Sequence, residues 1–472
     1  MTKPVSKRDI VELEIEDLVY GGKGLARYND YVIFVKDCVP GQKLKAKIYK
    51  ARSNYAEAHP VKILKRSELE IKPECPYFEH CGGCTYQNIP YDQQLKFKYK
   101  QVKDLFSHMG GFDNIKFEQI EKADSQFRYR NKMEFAFSAH RWLMQDFEAE
   151  KPEDFALGLR APGYYWKAID LNDCLIAPEE TAKILDIVRN YALENNLKPY
   201  SFRNHKGYLR HLVLRKGYNT DQIMINIVTN QDTPERIEPL IETLQKNIPN
   251  LKSLINTYTT NVGGTTTPEK TNILSGRDHI LERLNNKEYI ISPESFFQTN
   301  TLMAEKLYRI VKEKAELSND EIVWDLYSGT GSISIELADR AQKIIGFEIV
   351  PEAVKDARRN AERNNIDNVQ FIEGNLDKLF RKKPEILEEL DNPDVLVIDP
   401  PRAGMHPKLV KDVIKLAPER IIYVSCKPST QVRDVARLTD ENYRVESVKP
   451  VDMFPHTSHI EVVTRLYKNT QI

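Results

Sequence analysis

The chain has 472 residues, with 69 Lys+Arg balancing 69 Asp+Glu and 41% apolar residues, a globular composition with length for two or three domains. No run of about 18 apolar residues occurs, which excludes a membrane-spanning helix. Met1 to Ile10 is polar and lacks the apolar core of a secretory signal, so a cytoplasmic location is expected. In that reducing compartment the six cysteines are not a disulfide framework.

Residues 8–66 alternate apolar and polar side chains in short runs, Val11 to Ile15, Tyr31 to Val35 and Lys43 to Ile48, punctuated by Gly21-Gly22, Gly24 and Pro40-Gly41. This spacing predicts a small β-barrel. Residues 36–66 carry nine Lys/Arg against two acids, and residues 201–216 carry Arg203, Lys206, Arg210, Arg215 and Lys216 with no acid. Such patches fit a polyanionic partner. Leu18 to Arg27 and Val39 to Gln42 resemble a TRAM domain, an RNA-binding barrel module of RNA-modifying enzymes.

Next come Cys75, Cys81 and Cys84, spaced C-x5-C-x2-C, with Gly82-Gly83 letting the backbone curl so that two thiolates face one centre. Cys174 is the best candidate for a fourth ligand. Four thiolates suit a [4Fe–4S] cluster or an all-cysteine zinc site, and spacing alone divides the two evenly. Residues 91–109 predict an amphipathic helix with Leu95, Tyr99, Val102 and Phe106 on its dry face and lysines on its wet face, ended by Gly110-Gly111. From 126 to 300 the pattern is β-rich with inserted helices. The runs Phe127 to Phe137 and Gly207 to Arg215 interleave aromatic and basic residues, which makes Arg128, Arg130 and Arg210 candidate contacts to single-stranded RNA.

From about residue 291 strands and helices alternate. Apolar runs end in Gly329-Thr-Gly331, Glu348, Asn375, Asp399-Pro-Pro and Ser425-Cys426, the layout of a doubly wound nucleotide-binding sheet. Glu348, 17 residues after Gly331, is placed to bind a ribose diol. Ser334 at the third position of the glycine fingerprint weakens an NAD reading, and no phosphate-loop Gly-Lys-Ser/Thr is present. Asp325 and Asp399-Pro-Pro resemble S-adenosylmethionine methyltransferases. Cys426 and Asp399 at one ligand edge point to nucleophilic chemistry. Adding a thiolate to C6 of a pyrimidine makes C5 nucleophilic toward a methyl sulfonium, and a base must then remove the C5 proton. Glu461, flanked by Ile460 and Val462-Val463, is the candidate base, with a pKa expected to rise on desolvation. His456 and His459 are the runner-up bases, and Arg402 is a candidate for favouring the thiolate.

These motifs, with Phe296-Phe-Gln-Thr-Asn300, Ser425-Cys-Lys-Pro428 and His459-Ile-Glu461, occur in order along nearly the whole chain. The chain resembles the RNA uracil-5-methyltransferase family in its ribosomal RNA branch. The resemblance implies Cys426 as nucleophile and Glu461 as proton base. It implies S-adenosylmethionine bound by Gln298, Tyr327, Glu348, Asn375 and Asp399, a [4Fe–4S] cluster on Cys75, Cys81, Cys84 and Cys174, and Phe296 stacking on RNA. The expected activity is methylation of uridine C5 in 23S rRNA. A tRNA substrate, or a non-catalytic RNA-binding iron–sulfur protein, is the alternative. Lys427 departs from the Asn often found there in ribosomal RNA enzymes. No membrane and no obligate protein partner is expected. The fold class is α/β: an OB-like β-barrel (1–68), a β-rich central RNA-binding domain with the four-cysteine site (69–290) and a Rossmann-like methyltransferase domain (291–472), with helix 91–109 a candidate to pack on the last.

Overall fold

The structure is a computed structural model that describes residues 4–144, 152–262, 268–376, 378–379 and 389–469. The first sheet has six strands, and its two edge strands, Ile10–Glu14 and Asp17–Val19, are neighbours in the chain. A sheet whose edges are joined by two residues must curl. At the join, Glu16 donates its backbone N–H to Leu25 while Ile15 exchanges bonds with the Gly41-Gln42 turn. The inward residues of the alternation, among them Leu13, Ile15, Ile33, Leu44 and Ile48, fill the interior, and the lysines at 43, 45 and 47 point outward.

The central sheet has seven strands, Ala168–Asp170, Ala156–Arg160, Lys132–Ser138, Leu209–Gly217, Gln222–Thr229, Leu251–Tyr258 and Lys270–Gly276, in that spatial order. Two helices, Thr181–Glu194 and Leu240–Asn247, bury their apolar stripes in the core it shares.

The third sheet sets up the site. Its order is Val369–Glu373, Lys343–Glu348, Ile322–Leu326, Val395–Ile398, Arg420–Ser425, Glu461–Lys468, Tyr443–Val451 and Lys116–Phe117. The first five are parallel, and all but the edge strand Val369–Glu373 are buried through their apolar runs, as expected where both faces are covered. Chain order reverses at Ile322–Leu326, with Val395–Ile398 on its other side, which makes the crevice beyond their carboxyl ends a ligand site. Glu461–Lys468 runs antiparallel to Arg420–Ser425, with Val462 opposite Ser425. An antiparallel strand brings its first residue to the edge where its neighbours end, so Glu461 arrives level with Cys426.

The helix Tyr91–Gly110 packs on this sheet, with Val102 and Phe106 against Val432, Val448, Ile460 and Val462. Its lysines are not all on the wet face, contrary to expectation. Lys98 is fully buried and its Nζ lies 2.6 Å from Oδ1 of the equally buried Asp452. Helical periodicity shows which side chains share a face, but it cannot show that a carboxylate waits in the core opposite one of them.

Candidate active site

Cys426 follows the strand Arg420–Ser425, and its loop is braced where Ser425 Oγ accepts the N–H of Lys427 at 3.1 Å. Burial first, then the charges of Glu461 and Asp399, push its thiol up to about 11; Arg402 opposes them by charge and by a side-chain hydrogen bond. Glu461 is 3% exposed. Burial, with Asp399 adding repulsion, raises its carboxyl well above the usual range against the pull of Arg402. Asp399 is raised to about 7 by desolvation and by Asp325. A half-buried thiol, two carboxyls raised by burial and the exposed Arg402 guanidinium therefore meet at one edge of the sheet.

The glycine turn lies beside them. Tyr327 adopts φ 68°, rare for an aromatic residue and a mark of functional constraint. Gly331 has φ 79°, and a Cβ there would lie 2.6 Å from the Phe371 ring, so only glycine fits. Glu348 clamps the turn: one carboxylate oxygen accepts the N–H of Gly329 at 3.0 Å, and the other accepts those of Ile349 and Val350. Asp325 accepts from Ser334 Oγ at 2.6 Å, while its second oxygen and Ser328 Oγ are buried without a hydrogen-bond partner among the described residues. Unpaired buried acceptors and donors around a glycine turn fit a polar nucleoside ligand. Asn375 opens a helical turn by accepting from Lys378 and Leu379.

Phe296 to Asn300 borders the same turn. Thr330 Oγ1 donates to the Phe296 carbonyl at 3.5 Å. Gln298 is buried, and its carbonyl accepts from Asn131 Nδ2 at 2.9 Å. Asn300 caps the following helix and donates to Met453. Phe296 itself is 66% exposed, as a ring must be if a base is to stack on it.

A buried polar network supports the loop that carries Glu461. Asp452 takes Lys98 and the Tyr91 hydroxyl, Lys98 also donates to Phe454, and Tyr129 donates to Pro455. His456 is wedged between Gln94, 3.1 Å from its Nδ1, and the ring of Phe127. Burial lowers it to about 4, which makes it a neutral part of the scaffold. His459 is lowered too, by burial and by Arg402.

Sequence reasoning missed one participant from the barrel. Tyr20 packs against the cluster holding Ile460 and Val462. Its hydroxyl feels Cys426, Arg402 and Glu461 and is pushed up to about 12, mainly by burial. Gly22 beside it abuts Ser458. Only the fold brings a strand end near residue 20 to a loop near residue 460.

Cys75, Cys81, Cys84 and Cys174 lie near enough to act on one another's charges. Burial raises every one of these thiols, and Cys174, Cys81 and Cys75 all act on Cys84, which reaches about 12. Among the described residues no group of three or more His, Cys, Asp or Glu is arranged to hold a metal ion. The donor set is nonetheless chemically that of a four-thiolate centre. Directly after Cys84, Thr85 and Tyr86 both donate to the His456 carbonyl, at 2.8 and 2.9 Å, so the cysteine loop touches the loop bearing the candidate base.

Of the three arginines read as RNA contacts, Arg130 donates to the Lys132 carbonyl and stays partly exposed. Arg128 is paired with Asp173 at 2.6 Å and donates to the Cys174 carbonyl, so it staples the cysteine loop. Arg210 is 1% exposed, its guanidinium donating to Asn230, Thr259 and Asn261. The alternation that predicted an outward cation is real, but that face of the strand is covered.

Comparison with known proteins agrees with this geometry. Residues 235–469 match the tRNA (uracil-5-)-methyltransferase family and residues 4–61 the TRAM domain. The chain is 40% identical over 464 residues to an uncharacterized RNA methyltransferase of Chlorobaculum tepidum, covering 97% of this chain and 96% of the relative. It is 38% identical over 467 residues to one of Caldanaerobacter subterraneus, covering 98% and 100%. The crystal structure of Pyrococcus abyssi tRNA (uracil-54, C5)-methyltransferase with S-adenosyl-L-homocysteine superposes with a TM-score of 0.74 at 28% identity, over 96% of this chain and 99% of that one. Fold and site thus define an S-adenosylmethionine-dependent methyltransferase acting on RNA. More narrowly, the chain belongs to the RNA uracil-5-methyltransferase family. Among the described residues no helix is long and apolar enough to cross a membrane.

Proposed function

We propose that the protein methylates C5 of a uridine in RNA through a covalent adduct between Cys426 Sγ and C6 of the base. The observation that carries this reading is the register that sets Glu461 beside Cys426, with Arg402 and Asp399 acting on both. S-adenosylmethionine, held by Gln298, Tyr327, Glu348, Asn375 and Asp399, supplies an electrophilic methyl group. Cys426, as the thiolate favoured by Arg402, would add to C6, and the electron pair released to C5 would take the methyl as the S–CH3 bond breaks and its electron pair leaves on the sulfur of S-adenosylhomocysteine. Glu461, as carboxylate, removes the C5 proton. The C6–S bond breaks as the C5–C6 double bond returns, and Cys426 is released as thiolate.

The chain is read as three units: the barrel to residue 68, the central unit to 290 and the methyltransferase unit beyond. Its RNA is read as 23S rRNA, on the resemblance to the ribosomal branch. A tRNA substrate is the second reading, favoured by the extent of the match to the Pyrococcus abyssi enzyme. The four cysteines are read as ligands of a [4Fe–4S] cluster on their all-thiolate chemistry; iron and sulfide analysis of anaerobically purified protein tests this, with zinc the competing outcome.

The deciding experiment incubates the protein and labelled S-adenosylmethionine separately with 23S rRNA and tRNA from cells lacking the gene. Labelled 5-methyluridine in 23S rRNA alone is expected. Label in tRNA keeps the chemistry and overturns the substrate. No 5-methyluridine in either RNA overturns both.

A further inference from the structure

Away from the catalytic edge, two loops of the central unit carry an unusual surface. The hairpin loop between Ala156–Arg160 and Ala168–Asp170 is ordered by its own backbone: Tyr164 donates to Ala161, Lys167 to Tyr164 and Ala161 to Lys167. It presents Tyr164, Tyr165 and Trp166. The facing loop, Tyr200 to Gly207, is tied by Ser201 N–H to the Lys206 carbonyl at 2.8 Å and by the Tyr200 hydroxyl to His205 Nδ1 at 2.8 Å. The rings form one continuous run. Tyr164 and Tyr165 each meet Trp166, at 5.4 and 5.2 Å between centroids, and Tyr165 leads through Phe202 to Tyr200.

Cations are threaded through it. Arg203 lies 5.3 Å from the Trp166 ring, and Arg160 lies 4.7 Å from Phe202. Residues 155–169 and 195–220 contain no acid. Among the described residues, Glu134 faces Arg160, Asp154 pairs with Lys198, and Glu269 acts on Arg210, which lies over the Tyr200 ring. Rings assembled for the core would be buried, yet Tyr165 is 66% exposed and Tyr164 41%. Two exposed tyrosines set on the half-buried rings of Trp166 and Phe202, with Tyr200 buried behind them, mark a binding surface, and preordered rings alternating with arginines match the flat faces and negative backbone of unpaired nucleotides.

We propose that these two loops form a nucleobase-stacking platform that grips an unpaired stretch of the substrate RNA outside the target uridine's pocket. The proposal rests on the reading of the protein as an RNA enzyme. Its position fits: Pro162 of the hairpin loop packs on Gly82, where a Cβ would lie 3.1 Å from its ring. The platform therefore borders the cysteine loop, whose other side meets the His456 loop. RNA spanning the two would be held at a second point while one uridine enters the pocket.

The platform can be tested without catalysis. Of the three tryptophans, Trp166 and Trp142 belong to the aromatic run and Trp324 is buried in the methyltransferase sheet. Tryptophan fluorescence therefore reports on the platform. Titrating the full-length protein with an unstructured oligouridylate of about eight nucleotides is expected to quench it saturably. Tyr165→Ala and Arg203→Glu should each weaken that binding about tenfold, and Tyr165→Phe should preserve it. In methyl transfer the same two variants should raise KM for RNA and leave kcat unchanged. An unresponsive wild type, an unchanged Kd in Tyr165→Ala, or equal binding of a duplex of the same length overturns the proposal. Quenching as expected without methyl transfer leaves the platform standing and rejects the enzymatic reading.

Discussion

Cys426 and Cys84 are the same side chain set in two kinds of company. Both are partly buried, and burial is the first cause that raises each thiol, to about 11 and about 12. Cys84 is acted on by three more thiols and a hydrogen bond from Gln87. Cys426 is acted on by two carboxylates and a guanidinium. Thiols packed together ionise together, when a metal centre replaces their protons. A thiol beside one arginine and a base can ionise alone, which is what a nucleophile needs. Cysteine chemistry here is set by neighbours that only the fold assembles.

The largest effect should come from exchanging the two. On the proposed mechanism, Cys426→Ala is expected to cut methyl transfer by about 10⁴-fold or more, with the melting temperature close to wild type. Cys84→Ala should do the reverse, lowering the melting temperature by several degrees, since about 1 kcal/mol moves a domain of this size by roughly 2–4 °C. Loss of transfer as deep in Cys84→Ala at an unchanged melting temperature would erase the division between them.

Glu461→Gln comes next. On the proposed mechanism, this should slow turnover by roughly 10²–10⁴-fold, but leave addition and methylation intact. A protein–RNA adduct that survives denaturing electrophoresis should then accumulate, and it should vanish in the double variant with Cys426→Ala. Slow turnover without an adduct would assign Glu461 to binding rather than proton removal.

Much of this was legible before folding, and unevenly so. Strand ends such as Lys343–Glu348 and Arg420–Ser425 could be read to the residue, because continuous apolar runs bounded by glycine, proline or an acid leave little choice. The site followed from those ends, since a parallel sheet gathers them at one edge. What could not be read depends on long-range pairing. Arg210 sits on an alternating strand whose basic face is covered. Tyr20 reaches the catalytic edge from the barrel, and Lys98 lies in a lysine-rich stretch of helix.

Lys98 gives the third prediction, on the scaffold behind the base rather than the reacting groups. Deleting one partner of a fully buried ion pair leaves the other charge unpaired, at a cost of about 3–5 kcal/mol. Lys98→Ala should lower the urea midpoint accordingly. Methyl transfer should also fall, because Lys98 holds Asp452 and the Phe454 carbonyl in the loop leading to Glu461. Adding Asp452→Asn should recover part of the stability, since the stranded charge is gone. No recovery would mean that lost packing, not the pair, carries the effect.

The smallest effect concerns Arg402, which separates the company of Cys426 from that of Cys84. Of the groups acting on the Cys426 thiol, the two carboxylates raise it and Arg402 lowers it, by charge and by hydrogen bond. Arg402→Gln removes the lowering influence, so the thiolate forms at higher pH and the ascending limb of the pH–rate profile should move to higher pH. Each unit of displacement costs about tenfold in rate below the thiol's pKa. The stability sign is separate. A thiol whose folded-state value, about 11, lies above its ordinary 9.0 keeps its proton in the folded state after the unfolded chain has released it. Stability from this group is therefore full below pH 9 and falls as pH rises toward 11. In Arg402→Gln that loss should extend further into alkali. A limb that stayed in place would mean that the thiolate is generated without Arg402, with the bound methyl donor the next cation to test.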